Sequence, residues 1–258
     1  MPSTIQPKIN RIIAASMLAV GILLLVTAAF YASSIAAIIG LALAFWGAIL
    51  LYITPSRHVP LEILAPIAAS TLINIEKLLT KLNLDGKGIY LPPRYLKDFE
   101  SSLVFVPKTT TQQPPKPEEI KEDKLYSDNP NAAYLTPPGL GLSKLFEKHL
   151  GTSFTKTDLN FIQEKLPRLL VEGLEIAESA EVNAQGNTVT VELTHHIFNE
   201  LCQKTRELPK THEQLGCPLS SAFACALAKA TGKPVTIEKE ENTKETGNTK
   251  IQYTILEG

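Results

Sequence analysis

The chain has no charge at all between Arg11 and Arg57: residues 12–56 contain not one Lys, Arg, Asp or Glu. That absence excludes a fully soluble single domain, because no water-exposed surface can be built from such a run. An excess of positive charge is lacking too. The 258 residues carry 25 basic and 26 acidic side chains, and removing residues 1–56, which hold only Lys8 and Arg11, leaves 23 against 26. A remainder at net −3 excludes a nucleic-acid binder working through a basic surface. Cysteine is scarce. Three of them, Cys202, Cys217 and Cys225, cannot all pair within one chain, which excludes a complete disulfide framework and fits a reducing compartment.

The charge-free run divides into two spans, residues 12–31 and 34–53, with only Ala32 and Ser33 between them. Twenty helical residues cover about 30 Å, the thickness of a bilayer's hydrocarbon core. Residues 1–56 therefore read as a transmembrane helical hairpin, with Tyr31 and Tyr52 placed where amphipathic rings favour the interface. Ala36, Gly40, Ala44 and Ala48 recur every four residues and form a ladder of small side chains. Such a face lets another helix approach closely, either the first span or, in a homo-oligomer, a second copy. Lys8, Arg11 and Arg57 flank the spans while the turn is uncharged, so both termini and the soluble part are expected in the cytoplasm. The competing reading is a signal peptide cleaved near residues 32–34. Its apolar core would be longer than usual, and no cleavage box is evident.

The soluble part begins with an amphipathic pattern at Leu64, Ala68, Thr71, Ile75, Leu78 and Leu82, a helix face that must be buried. Short strands at 89–91 and 103–106 complete a unit over residues 57–106. Residues 107–135, with five prolines and a mixed charge run, read as a flexible linker. Residues 136–258 are long enough for a domain. A helix at 142–150 stops at Gly151, and Thr157 is placed to cap a helix over 158–166. Pro167 opens a further helical turn. Gln185-Gly186-Asn187 turns a hairpin, and Thr194 would cap a helix reaching Glu207. A helix runs from Pro218 to about Ala230, ended by Gly232 and Pro234, and a last hairpin pairs 235–237 with 251–255. Helices over a small antiparallel sheet make the unit two-layered α+β.

Chemistry is less evident. Gly216-Cys217-Pro218 sets a thiol at a helix start, where the positive end of the helix dipole favours thiolate chemistry. Cys225 lies two turns on, and Cys202 is the third thiol candidate. Core packing competes with redox or ligand chemistry for all three, since cysteine is among the most buried residue types. His195, His196, His212, Cys202 and Cys217 fall close together in sequence, but no CxxC, HxxxH or HExxH spacing occurs, so a zinc site would need the fold to assemble it. His195 and His196 suit capping or surface roles. Gly139 to Lys144 lacks the spacing of a phosphate loop, and no catalytic triad or paired-carboxylate signature stands out. No catalytic residue, metal ligand or cofactor is assigned.

Residues 88–94 (GIYLPPR), 137–141 (PPGLG), 166–172 (LPRLLVE) and 216–234 (GCPLSSAFACALAKATGKP) resemble a group of uncharacterised archaeal two-span membrane proteins. Residues 187–257, a strand, a helix, a Gly-Cys-started alanine-rich helix and a closing hairpin, are similar to the vinyl-reductase-type ligand-binding domain. That resemblance implies binding of small hydrophobic molecules or partner proteins, sometimes with zinc and often as a dimer. The family's closing hairpin usually carries cysteines, and residues 238–253 have none. The expectation is a transmembrane hairpin followed by a two-layer cytoplasmic α+β domain, serving as a binding or scaffold module for a small apolar ligand or protein partner. The alternatives are a thiol- or metal-dependent sensor or enzyme centred on Cys217, and a structural membrane protein that oligomerises.

Overall fold

The computed structural model describes residues 6–53, 61–96, 102–109, 113–120, 125–128, 131–243 and 247–257. The chain divides into two units, Met1–Pro60 and Leu61–Gly258.

In the first unit, α1 (Gln6–Tyr31) and α2 (Ser34–Ile53) fold back on each other through Ala32, which adopts a left-handed turn at φ 51°. Both helices are long and apolar enough to cross a membrane, and most of their surface faces outward. On α1 the inward positions are Ala14, Met17, Leu18, Gly21, Leu24, Leu25 and Ala28. That stripe repeats every three or four residues, as a left-handed helix pair requires. Gly40 and Ala44 of the small-residue ladder do meet α1: a Cβ added at Gly21 would lie 2.4 Å from the Ala44 nitrogen. Ala48 does not follow them. Four residues advance a helix by about 40° beyond a full turn, so the ladder drifts off the contact. Ala48 is exposed while Gly47 takes its place, where a Cβ would stand 2.6 Å from the Leu18 nitrogen.

The second unit opens with α3 (Leu61–Lys81), followed by β1 (Ile89–Leu91), β2 (Leu103–Pro107), β3 (Tyr126–Asp128), β4 (Asn131–Leu135), α4 (Leu140–Leu150) and α5 (Leu159–Arg168). Then come β5 (Ser179–Gln185), β6 (Thr188–Thr194), α6 (Asn199–Arg206), α7 (Pro209–Leu215), α8 (Pro218–Thr231), β7 (Val235–Thr243) and β8 (Asn248–Ile255). Among the described residues, one antiparallel sheet of eight strands, ordered β3-β4-β2-β1-β7-β8-β6-β5, joins strands from both ends of the unit. The fold is α+β, and α8, buried along nearly its whole length, is its central helix.

Alternation along the strands assigns the faces. Tyr90, Val104, Val106, Ala133, Leu135, Val189, Val191, Ile251 and Tyr253 join Phe146, Ile162, Leu166 and Phe223 in the main core. The opposite parity at β1, β2 and β4 (Ile89, Leu91, Phe105, Ala132, Tyr134) forms a second cluster, closed by Tyr95, Ile120 and Leu256. Those three strands are buried on both faces.

Several expectations change here. The span 107–135 is not simply a linker between two units: β4 pairs with β2 and β3 inside the sheet, and Ile120 packs on its second face. The run Ala132-Ala133-Tyr134-Leu135 has the apolar content of a buried strand, which the prolines around it mask when composition is averaged. Asp158, rather than Thr157, caps α5, accepting from the Phe161 amide at 2.9 Å. Pro167 lies inside α5, whose end widens into a π-helical turn at Leu169–Gly173. Thr194 ends β6, His195 turns the chain at φ 45°, and α6 begins only at Asn199. The closing hairpin extends to Thr243 and Asn248, well beyond the expected arms.

Candidate functional site

A β-bulge creates the most unusual site in the fold. Along β7, Val235 and Ile237 face the main core, and continued alternation would turn Lys239 and Glu241 inward. The register instead shifts at Glu238: Ile237 lies opposite Tyr253, and Lys239 opposite Gln252. After this extra residue the parity is inverted, as a bulge dictates. Glu240 stands opposite the buried Ile251, on the core side, and only 2 % of its side chain is exposed. The same inversion turns Asn242 toward Asn199, whose Oδ1 accepts from it at 3.1 Å.

Two thiols meet that carboxylate. Cys202 comes from α6, and Cys217 is the N-cap of α8, its sulfur accepting from the Ser220 amide at 3.5 Å. The chain reaches the cap through Gly216 at φ 68°, where a Cβ would lie 2.5 Å from Ser220 Oγ and 2.7 Å from Ile237. Only glycine fits both that dihedral and that crowding. Cys202 Sγ, Cys217 Sγ and a Glu240 carboxylate oxygen all lie within 4.8 Å of one another. Both cysteines are buried and unpaired by disulfide.

Electrostatics are arranged around the carboxylate. Arg206 donates to Glu240 Oε1 at 3.1 Å, and His212 Nε2 stands 3.6 Å from the same oxygen. The other oxygen, Oε2, is buried and makes no hydrogen bond of ordinary length among the described residues. Burial alone would push the Glu240 carboxyl up. His212, the Ser220 hydroxyl and the Arg206 guanidinium outweigh it and hold the group below its usual range. Cys202 is driven the other way: its hydrogen bond to Cys217, then burial, push the thiol well up. Tyr253 donates to the Ser220 carbonyl at 3.0 Å and Tyr90 to the Leu215 carbonyl at 2.6 Å, locking the backbone around the α8 start. A cleft of about 360 Å³ reaches Glu240 from the surface, lined also by Lys87, His212, Glu238 and Lys239. The arrangement can bind a cation, hold a proton between sulfurs or close a disulfide.

Comparison with known proteins adds family but no activity. Residues 4–254 match the model of a domain of unknown function (DUF7982). The chain belongs to this family. No curated protein and no solved structure matches it.

On the other side of the α8 start the DUF7982 chain has an apolar groove of about 540 Å³. Ala68, Leu72, Ile75 and Leu78 of α3 form one wall, and Leu135, Pro137 and Pro218 belong to the other. Pro218 thus borders the groove while Cys217, its neighbour, belongs to the thiol–carboxylate cluster. Glu76 fastens α3 in place by accepting from the Lys210 and Thr211 amides of α7 at 3.3 and 2.7 Å.

The remaining sequence candidates separate. Cys225 is buried on α8 outside the cluster, and burial pushes its thiol up to about 12 against the partial offset of Lys229. Of the histidines among the described residues, only His212 stands beside Glu240. His195 is exposed beside Glu178, and buried His196 pairs through Nε2 with Thr249 Oγ1 at 2.9 Å. Gly139 belongs to a turn pressed on α8, where its amide donates to Ser221 Oγ at 3.0 Å. Glu240 and Arg206 escaped the sequence reading, because an acidic residue in a Glu-Lys-Glu-Glu run looks like solvated surface.

Proposed function

We propose that the protein is a membrane-anchored binding module. In this reading α1 and α2 span the bilayer, positive flanks hold both ends and the α+β unit on the cytoplasmic side, and a small apolar molecule sits in the groove beside α3. The groove carries this reading. Its volume lies within the range of about 300–1,000 Å³ usual for small-molecule sites, and its walls are mostly aliphatic and proline side chains, with Thr71, Asn74 and Thr136 as the polar groups. The likeness of residues 187–257 to the vinyl-reductase-type ligand-binding domain favours the same ligand class.

Native mass spectrometry of the full chain released from nanodiscs tests it. A stoichiometric apolar adduct is expected, lost when Ala68→Trp fills the groove while the fold is retained. A chain that carries no adduct and takes up no apolar fluorophore at the groove overturns the ligand. Protease protection in inverted vesicles reads the orientation independently: digestion of the α+β unit is expected there and protection in right-side-out vesicles, the reverse pattern refuting the placement.

A further inference from the structure

The buried cluster does not depend on the groove, and its donor set has a chemistry of its own. Two sulfurs and one carboxylate oxygen, contributed by α6, the α8 cap and the bulged β7, converge within 4.8 Å. In a tetrahedral zinc site with Zn–S near 2.3 Å and Zn–O near 2.0 Å, neighbouring ligand atoms stand about 3.5–3.8 Å apart, so these atoms need to close in by no more than about 1.3 Å. We propose that Cys202, Cys217 and Glu240 form a binding site for a zinc-type divalent cation, with the fourth position turned toward the cleft.

Four observations support this site. Glu240 is inside only because one residue is inserted at Glu238, a device that places a carboxylate where a smooth strand would place Lys239. Its Oε2 is buried and makes no hydrogen bond of ordinary length among the described residues, which leaves an acceptor that a cation can satisfy. Arg206, bound to Glu240 Oε1 at 3.1 Å, is the outer partner that orients the ligating carboxylate. Finally the cleft past His212 reaches Glu240, which provides an entry path and room for a water or substrate atom on the metal. Thiolates select zinc over magnesium or calcium. These ligands are distinct from the hairpin cysteines of the vinyl-reductase-type domain, which this chain lacks.

The test uses the full chain in nanodiscs, purified without a histidine tag, with metal content read by mass spectrometry and cobalt(II) uptake by absorption. One zinc per chain is expected, as isolated or after addition of one equivalent, and cobalt(II) gives a thiolate charge-transfer band. Cys217→Ser, Cys202→Ser and Glu240→Gln each weaken zinc binding by more than about 100-fold, and Arg206→Leu by about 10–100-fold. Cys225→Ala keeps zinc. Wild-type binding in the same preparation needs no variant to fold, so the proposal stands or falls on it first. Wild-type protein that takes up neither zinc nor cobalt(II) overturns the site, as does zinc retained by both Cys202→Ser and Cys217→Ser. A Cys202–Cys217 disulfide that persists in anaerobically isolated protein also overturns it.

Discussion

Among the described residues of the α+β unit, the carboxylates of Glu147 and Glu240 both lie beside a cation with little exposure, and they are treated differently. Glu147 on α4 meets Lys229 of α8 at 3.0 Å through Oε2, while its Oε1 accepts from Ser153 Oγ at 2.8 Å and the Phe154 amide at 2.9 Å. Both oxygens are satisfied, and the pair bolts α4 and the following turn onto the central helix. Glu240 has one partnered oxygen, one without a hydrogen bond among the described residues, and two thiols at its side. A complete network rigidifies a core, whereas an incomplete one spends stability on an arrangement a ligand can finish.

Unfolding experiments can break that comparison. Lys229→Met, which leaves Glu147 buried without its cation, is expected to cost about 3–5 kcal/mol in denaturant unfolding. Glu240→Gln in metal-free protein is expected to cost no more than about 1 kcal/mol, because the amide oxygen still accepts from Arg206. Equal losses at the two sites would erase the distinction. Next in size, Gly216→Ala forces a Cβ onto Ser220 and Ile237 at positive φ, for a loss of about 1–3 kcal/mol. Its spectroscopic consequence is sharper, since it displaces the Cys217 cap: thiol alkylation at Cys217 should accelerate while Cys225 stays unreactive. Unchanged alkylation would show that the cap survives the substitution.

The smallest effect concerns pH. Burial lowers the His196 pKa, with Glu240 opposing and Arg206 assisting. A folded-state pKa below the unfolded value of about 6.5 means that the unfolded chain binds the extra proton. The contribution is therefore present above pH 6.5 and lost as pH falls through the folded value, at up to about 1.4 kcal/mol per pH unit. Melting temperatures between pH 7.5 and 5 should fall less steeply in His196→Gln than in the parent. Parallel curves would remove His196 as the source.

How much was legible follows from where each signal resides. The β5–β6 hairpin around Gly186, helix α8 between Pro218 and Gly232, and helix α4 ending at Gly151 all announce themselves through local backbone chemistry. Strand β4 lay inside proline-rich composition, and α7 is only seven residues long, too short to show a period. Cys217 was legible as a helix-start thiol. Its companions were not, since Cys202 arrives from another helix and Glu240 from a strand whose bulge has no sequence mark.

By itself the sequence determined the charge-free hairpin, the amphipathic helix after it, the α+β class and the thiol at the α8 start, because each is written in neighbouring residues. Tertiary structure decided that eight strands make one sheet, that Ala48 yields its place to Gly47, and that Glu240 faces inward. The reason is geometric. Helix drift and strand parity are cumulative, so a single inserted residue or a few degrees per turn reassigns every side chain beyond it.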